Sequence, residues 1–239
     1  LQTQCQEFVK QRALATAPPE ASPVAIVAVA RGEGIIQVFE SLGASAIVPG
    51  GQTMNPSTEE LLQAIESLPG TEVIVLPNNP NVIPTAQQAQ SLSAKAVRVI
   101  PTCTIPEGVA ALLAFNYQAD LEANVQIMLE GAKQVQTGEV TTAVRDVQIN
   151  GIRVRAGQTI GLWNGELVTA NESTDEVVRD LLSRMGASQA EIITVYYGAD
   201  VSEEEAQRAA ERIHQWFSKP EVELVSGGQP HYPYILSAE

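Results

Sequence analysis

Four short apolar runs recur along the first half of the chain: Val24–Val29, Ala46–Val48, Val73–Leu76 and Val97–Ile100. Each is followed by a turn and then by a helical stretch. The first two stretches carry the stripes Ile35, Val38, Phe39, Leu42 and Leu61, Leu62, Ile65, Leu68; the others run from about Thr85 to Leu92 and to an end near Phe115. A run as uniformly apolar as Val24–Val29 suits a parallel strand covered on both faces. Strands alternating with helices give a parallel, doubly wound sheet with right-handed crossovers. Ligands of such sheets sit beyond the carboxyl ends of the strands.

The loops at those ends are Arg31–Gly34, Gly50–Ser57, Asn78–Asn81 and Thr102–Thr104, all small and polar. They supply the candidate ligand-binding residues Arg31, Gly32, Gly34, Gln52, Thr53, Asn55, Ser57, Asn78, Asn79, Asn81 and Thr102. The second loop reads as a glycine turn that enters a helix through Pro56 and the Ser57/Glu60 capping pair. Free N–H groups at such a helix start can hold a carboxylate or phosphate, although an ordinary capped turn explains the local sequence equally well. The Gly50-Gly51-Gln52 phrase returns as Gly227-Gly228-Gln229, again after a predicted strand, and adds Gly228, Gln229 and the neighbouring His231 to the candidates. Two such phrases suggest two related lobes facing a shared cleft, or a coincidence of common turns.

The remaining boundaries follow from changes of pattern. Residues 1–22 read as a terminal segment, polar and helical from Cys5 to Leu14, then a Pro/Ala/Ser linker. Residues 23–117 form the parallel lobe. A helix with Leu121, Val125, Met128, Leu129, Ala132 and Val135 on one face, stopped at Gly138, bridges the lobes over residues 118–138. Period-two alternation then flanks Asn150-Gly151 and Asn164-Gly165, both hairpin signals. Residues 139–239 are therefore an α+β lobe with antiparallel strands, and its helices are Thr174–Met185 and Glu203–Phe217.

Composition narrows the function. Against 14 basic residues stand 28 acidic ones, and no basic patch is evident along the chain. Nucleic acid and anionic membrane surfaces are repelled by that field. Two cysteines and two histidines show no metal-binding spacing and no disulfide framework, so no metal ligand is assigned and a cytoplasmic setting fits. No apolar run approaches a membrane span. Arg31-Gly32-Glu33-Gly34 fails as a dinucleotide fingerprint, because Gln37 replaces the third glycine and no acidic residue closes the next strand. Nothing reads as a catalytic acid–base pair, and Cys103 reads as small, apolar and buried.

Several longer motifs carry a resemblance. They are Val27–Gly34, Gly50–Thr58, Leu76–Asn79, Ile100–Thr102, Ala143-Val144-Arg145-Asp146 and Gly227–Pro230. From about Val24 to Glu239 the chain resembles the C-terminal region of the DAK2-domain proteins. These are relatives of the dihydroxyacetone kinases and include the catalytic subunit of bacterial fatty-acid kinase. The resemblance implies a DegV-like two-lobed fold. It also implies a parent protein that holds ATP and magnesium in a separate N-terminal domain, forms a homodimer, and phosphorylates a fatty acid carried by a DegV-like acyl-binding subunit. In DegV-like proteins a T-S-x-P-S loop contacts the lipid carboxylate, and Thr53–Ser57 looks like its counterpart. Two positions depart from the pattern expected of close relatives: Pro80 and Cys103 stand where basic residues are expected.

The expected role is accordingly a non-catalytic accessory domain that docks the acyl-binding partner, with no cofactor of its own. A fatty-acid or small-carboxylate binding module using the Gly50–Ser57 cleft is the alternative, and an enzyme acting on a small phosphorylated ligand a third reading. Replacing Gly50 or Gly51 by Val should lower the thermal midpoint by several degrees, since a crowded or left-handed glycine typically costs more than ~1 kcal/mol to replace. Unchanged melting of both variants would show that neither position is constrained.

Overall fold

The computed structural model describes residues 23–51, 54–149 and 151–239. The expected terminal segment 1–22, Gln52, Thr53 and Asn150 lie outside the described residues. Two compact units divide the chain. The first comprises the described residues up to Arg31 together with Ile35–Gln134, and the second Gly32–Gly34 together with Val135–Glu239.

In the first unit, strands β1 (Val24–Ala30), β2 (Ala46–Pro49), β3 (Glu72–Leu76) and β4 (Ala96–Val99) form a parallel sheet in the order β2-β1-β3-β4. The β1-to-β2 and β2-to-β3 connections run in opposite directions across the sheet. Right-handed crossovers therefore place their helices on opposite faces, and the chain reverses between β1 and β3. Helices α1 (Glu33–Ser41), α2 (Thr58–Ser67), α3 (Ile83–Leu92), α4 (Ile105–Leu113) and α5 (Leu121–Lys133) complete the unit. One face packs Leu61 and Ile65 of α2, and Ala86 and Ala89 of α3, onto Val27, Val29, Val73 and Val75. Burying each of these aliphatic side chains is worth about 1.5–3 kcal/mol for the larger ones. Strand alternation sends the fully buried Ile26 and Ile74 to the other face.

Helix α3 starts at Ile83, earlier than periodicity indicates, because Pro84 fits a first helical turn. Helix α2 carries the expected capping box: Glu60 N–H donates to Ser57 Oγ (3.2 Å) and Ser57 N–H to Glu60 Oε2 (2.7 Å). Ala110 and Ala114 face Gly131 of α5, where a Cβ would lie 2.8 Å from that of Ala114, so these small residues bring two helices together.

The bridging helix ends earlier than expected. Its last residue is Lys133, Val135 lies beyond it, and Gly138 is not a stop but part of a strand, β5 (Gln136–Thr142). With β6 (Val147–Ile149), β7 (Ile152–Val154), β8 (Thr159–Trp163), β9 (Glu166–Asn171), β10 (Ile192–Tyr197), β11 (Glu221–Ser226) and β12 (Tyr234–Ala238), it builds the second unit. The main sheet has the order β11-β10-β12-β5-β8-β9, parallel only between β10 and β11, while β6 and β7 pair separately. Asn164 (φ 48°) and Gly165 (φ 83°) make the β8–β9 turn that the Asn-Gly signal indicates.

Helices α6 (Thr174–Arg184) and α7 (Glu203–Trp216) cover one face of that sheet. Two glycines let α6 approach it. A Cβ on Gly138 would lie 2.7 Å from Met185 Sδ and 2.9 Å from Leu181 Cδ2, and one on Gly161 would lie 3.1 Å from Val177 Cγ1. Trp216 packs against this core and lies under Arg179, as a packing rather than a ligand residue. On the other face the β6–β7 hairpin seats Val154 against Leu167, with Val147, Ile152 and Ile160 around them.

Gly138→Val should destabilise the chain by about 1–3 kcal/mol through overpacking. In the Leu181→Ala background the added loss should be smaller, because the two sites share one contact. Strictly additive urea midpoints would refute that contact. A second outcome concerns pH. The capping hydrogen bonds hold the Glu60 and Glu205 carboxyls below their usual range. Their stabilisation is therefore present above the ordinary carboxylate pKa and is lost as pH falls through the depressed folded value. A Glu60→Gln/Glu205→Gln variant should melt below the parent at pH 7, and the gap should close in acid. A gap independent of pH would contradict this.

Candidate functional site

The carboxyl ends of β1, β3 and β4 are joined by one buried side chain. Asn78 follows β3 with φ 54°, a conformation that asparagine tolerates better than most residues. Its N–H donates to Thr102 Oγ1 (3.0 Å), Thr102 Oγ1 donates to Asn78 Oδ1 (2.8 Å), and Asn78 Nδ2 donates to Val29 O (3.0 Å). A Cβ on Gly108 in α4 would collide with this amide, so glycine there is part of the same arrangement. Thr102 is fully buried. Asn78 and Thr102 thus come together as expected, but their polar atoms are turned on one another and on the backbone.

Asn79 differs. It is 1% exposed, its Oδ1 accepts from Asn81 N–H (2.8 Å), and its Nδ2 has no partner among the described residues. A buried amide donor left unpaired costs about 1–3 kcal/mol, so it marks a place where an acceptor would be welcome. Helix α3, which starts just beyond, has no side-chain cap. Asn81 itself is exposed, as are Arg31, Asn55 and Ser57. The Ser57 hydroxyl is engaged by Glu60 on both sides, donating to Oε2 (2.8 Å) and accepting from the N–H. Gly50 sits where a Cβ would be 2.7 Å from Val29 Cγ1 and 2.8 Å from Pro56 Cδ, which explains glycine by close approach. Gln52 and Thr53, the middle of this loop, lie outside the described residues.

The remaining candidates gather in the second unit. Gly32 and Gly34 pass so close to Ser226 and Gly227 that a Cβ on either would collide with a carbonyl there. Gly227 and Gly228 N–H groups donate to Tyr197 O. Gln229, buried, donates from Nε2 to Tyr196 O (2.9 Å) and Tyr232 O (3.2 Å), while its Oε1 has no partner among the described residues. His231 is an exposed residue at φ 68°, and its carbonyl accepts from Thr141 Oγ1 (2.7 Å). The second Gly-Gly-Gln therefore serves chain packing through its glycines and backbone anchoring through its amide.

Near the β4 end, Cys103 is half-exposed rather than buried, because α4 starts immediately after it and covers one side only. Burial and the nearby Glu107 push its thiol up, away from the reactive thiolate. Burial also raises the Glu107 carboxyl, although it accepts from Cys103 N–H (2.6 Å). In the second unit, burial and then Glu139 push the Tyr232 phenol far up. Among the described residues no group of three or more His, Cys, Asp and Glu side chains is placed to hold a metal ion. No helix among them is long and apolar enough to cross a membrane.

Sequence reasoning overlooked one group, Arg145, Arg153 and Arg155, which are exposed beside Val144 on the β6–β7 arm. Their spacing, three arginines in eleven residues of an acidic chain, was the signal available.

Comparison with known proteins places this arrangement. A DegV family protein from Corynebacterium glutamicum superposes with a TM-score of 0.66 at 15% identity, over 91% of this chain and 98% of that one. The Streptococcus pneumoniae fatty acid kinase B3 protein, solved loaded with linoleic acid, gives 0.59 at 12% identity over 90% and 99%. At those identities the likeness shows the fold, a parallel sheet followed by a largely antiparallel one. Protein YloV of Bacillus subtilis is 44% identical over 222 residues, covering 93% of this chain and 40% of that protein. The chain thus spans about two fifths of its relative's length. The model of the FakA-like C-terminal family, named for the fatty acid kinase, matches residues 25–239, and the chain belongs to that family.

Proposed function

We propose that this chain is the C-terminal accessory unit of a fatty-acid-kinase-type protein, that it docks a DegV-like acyl-binding subunit, and that it performs no chemistry itself. ATP and magnesium belong, on this reading, to the part of the dihydroxyacetone-kinase-related parent outside this chain, as does any homodimer contact, and the setting is cytoplasmic. The observation that carries the reading is the closure of α6 on the second sheet. Leu181, Met185 and Val177 reach the backbone at Gly138 and Gly161, and the space between this helix and β5–β8 is filled by protein side chains. An acyl chain could enter that layer only by displacing them. The polar groups at the strand ends support the same reading, since Asn78, Thr102 and Ser57 are already hydrogen-bonded within the chain.

One observation favours the alternative of a carboxylate-binding module. The unpaired Asn79 Nδ2 beside the uncapped start of α3 would suit a carboxylate oxygen, and structural neighbours such as the S. pneumoniae protein carry a fatty acid. Calorimetry separates the two. Titrating the chain with the acyl-loaded S. pneumoniae fatty acid kinase B3 protein should give saturable one-to-one binding, and titrating it with oleate should give none at low micromolar concentration. Tight oleate binding that is lost in Asn79→Leu would replace docking by lipid binding. Absence of heat with the protein, confirmed by absence of co-elution in gel filtration, would reject docking of that partner.

A further inference from the structure

The β6–β7 hairpin is an arm whose inner face is committed and whose outer side is not. Val147↔Val154 and Ile149↔Ile152 pair across it, and Val154, Val147 and Ile152 pack inward. Strand alternation turns Gln148 and Arg153 to the opposite face. At the base of the arm Val144 is 92% exposed, flanked in sequence by Arg145, and Ile149 is 43% exposed towards the tip. Ala156 N–H donates to Asp146 Oδ1 (2.8 Å), which brings the Arg155 end of the arm alongside the Arg145 end.

The charge on this arm runs against the rest of the chain. Residues 144–155 hold three arginines and one aspartate, whereas the whole chain has a net charge of −14. Elsewhere four basic residues pair with carboxylates, Arg98–Glu122, Lys133–Glu130, Arg184–Asp180 and Arg212–Asp175, while Lys219 donates to Gln189 O and Arg179 lies over Trp216. With carboxylates in twofold excess, Arg145, Arg153 and Arg155 make no ion pair among the described residues. An exposed valine beside an arginine, on an arm that carries two more arginines without ion pairs, suits a protein-binding surface, where arginine is enriched over lysine and glutamate. The acidic field of the rest of the molecule repels nucleic acid and anionic lipid, so a partner must meet the arm locally with a compact acidic surface.

We infer that the β6–β7 arm is a docking element for an acidic face of a partner protein, with Val144 as the apolar contact and Arg145, Arg153 and Arg155 as its charged rim. For the identity of that partner the inference rests on the docking reading, and it names the surface of this chain that the acyl-binding subunit would engage. Charge at such a rim sets the approach and its salt dependence more than the final affinity.

The test uses the acyl-loaded S. pneumoniae fatty acid kinase B3 protein as probe, with calorimetry and stopped-flow association at low and high salt. Arg145→Glu/Arg153→Glu/Arg155→Glu should bind roughly tenfold or more weakly at low salt and lose most of the salt dependence, and Val144→Ser should dissociate faster. Arg184→Glu/Arg208→Glu/Lys219→Glu, which changes the net charge equally but lies on or beside the helices that cover the opposite face of the second sheet, should retain binding. Thermal melts confirm that each variant is folded. Equal binding by the arm variant overturns the inference while leaving docking intact, and equal losses in both triple variants overturn it by showing a general charge effect. No binding by the unaltered chain overturns docking and the inference together. Sedimentation showing self-association that the arm variant abolishes, without binding to the probe, would assign the arm to a second copy and overturn the proposal.

Discussion

The first unit hangs on the amide of Asn78. One side chain ties the ends of β1, β3 and β4 through Val29 O and Thr102, and it does so from a left-handed backbone conformation that only a few residue types adopt cheaply. It stands where the sheet reverses direction, the place at which a doubly wound fold opens and ligands usually enter. Here the Asn78 and Thr102 side chains bond to one another and to the Val29 carbonyl. Gly108 completes the arrangement, because any larger residue in α4 would drive the amide out of place. In a loop that reads as ligand-binding by composition, the Asn78 amide thus has a structural part. The neighbouring Asn79, whose Nδ2 the same loop leaves unpaired, shows how little separates the two outcomes.

Sequence patterning revealed the parallel sheet because each of its strands is an apolar run and turns and helical stretches alternate with them, α2 with a capping box besides. It missed β5 for a physical reason. Gln136-Thr137-Gly138-Glu139-Val140 has one large apolar residue, since the side facing α6 must be almost bare to admit Leu181 and Met185, and the other side carries Thr137 and Glu139. A strand built to be thin looks like the end of a helix. The Asn164-Gly165 turn was legible because a type I′ turn demands particular residues.

The candidate site was legible as a list and less so as geometry. Composition picks out Ser57, Asn78, Thr102 and Gln229, but whether a hydroxyl or amide is free depends on partners far along the chain, such as Val29 for Asn78 and Tyr196 for Gln229. Those pairings follow from topology, which local patterns do not encode. Arg145, Arg153 and Arg155 were hidden for the opposite reason: the net charge of the chain masks a local reversal of sign, and only the fold shows that they are exposed and make no ion pair among the described residues.

The strand order of the second sheet has a consequence for how the protein is made. β12, the twelfth of the twelve described strands, lies between β10 and β5 near the middle of the sheet. During synthesis β5, β8 and β9 can assemble, and later β10 with β11, but the two ribbons have no shared edge until residues 234–238 have left the ribosome. Until then each presents unpaired backbone groups along a full strand, the kind of edge that recruits other chains. The interval between the emergence of β5 and that of β12, nearly a hundred residues of translation, is the period in which a nascent chain of this protein most needs protection from its neighbours.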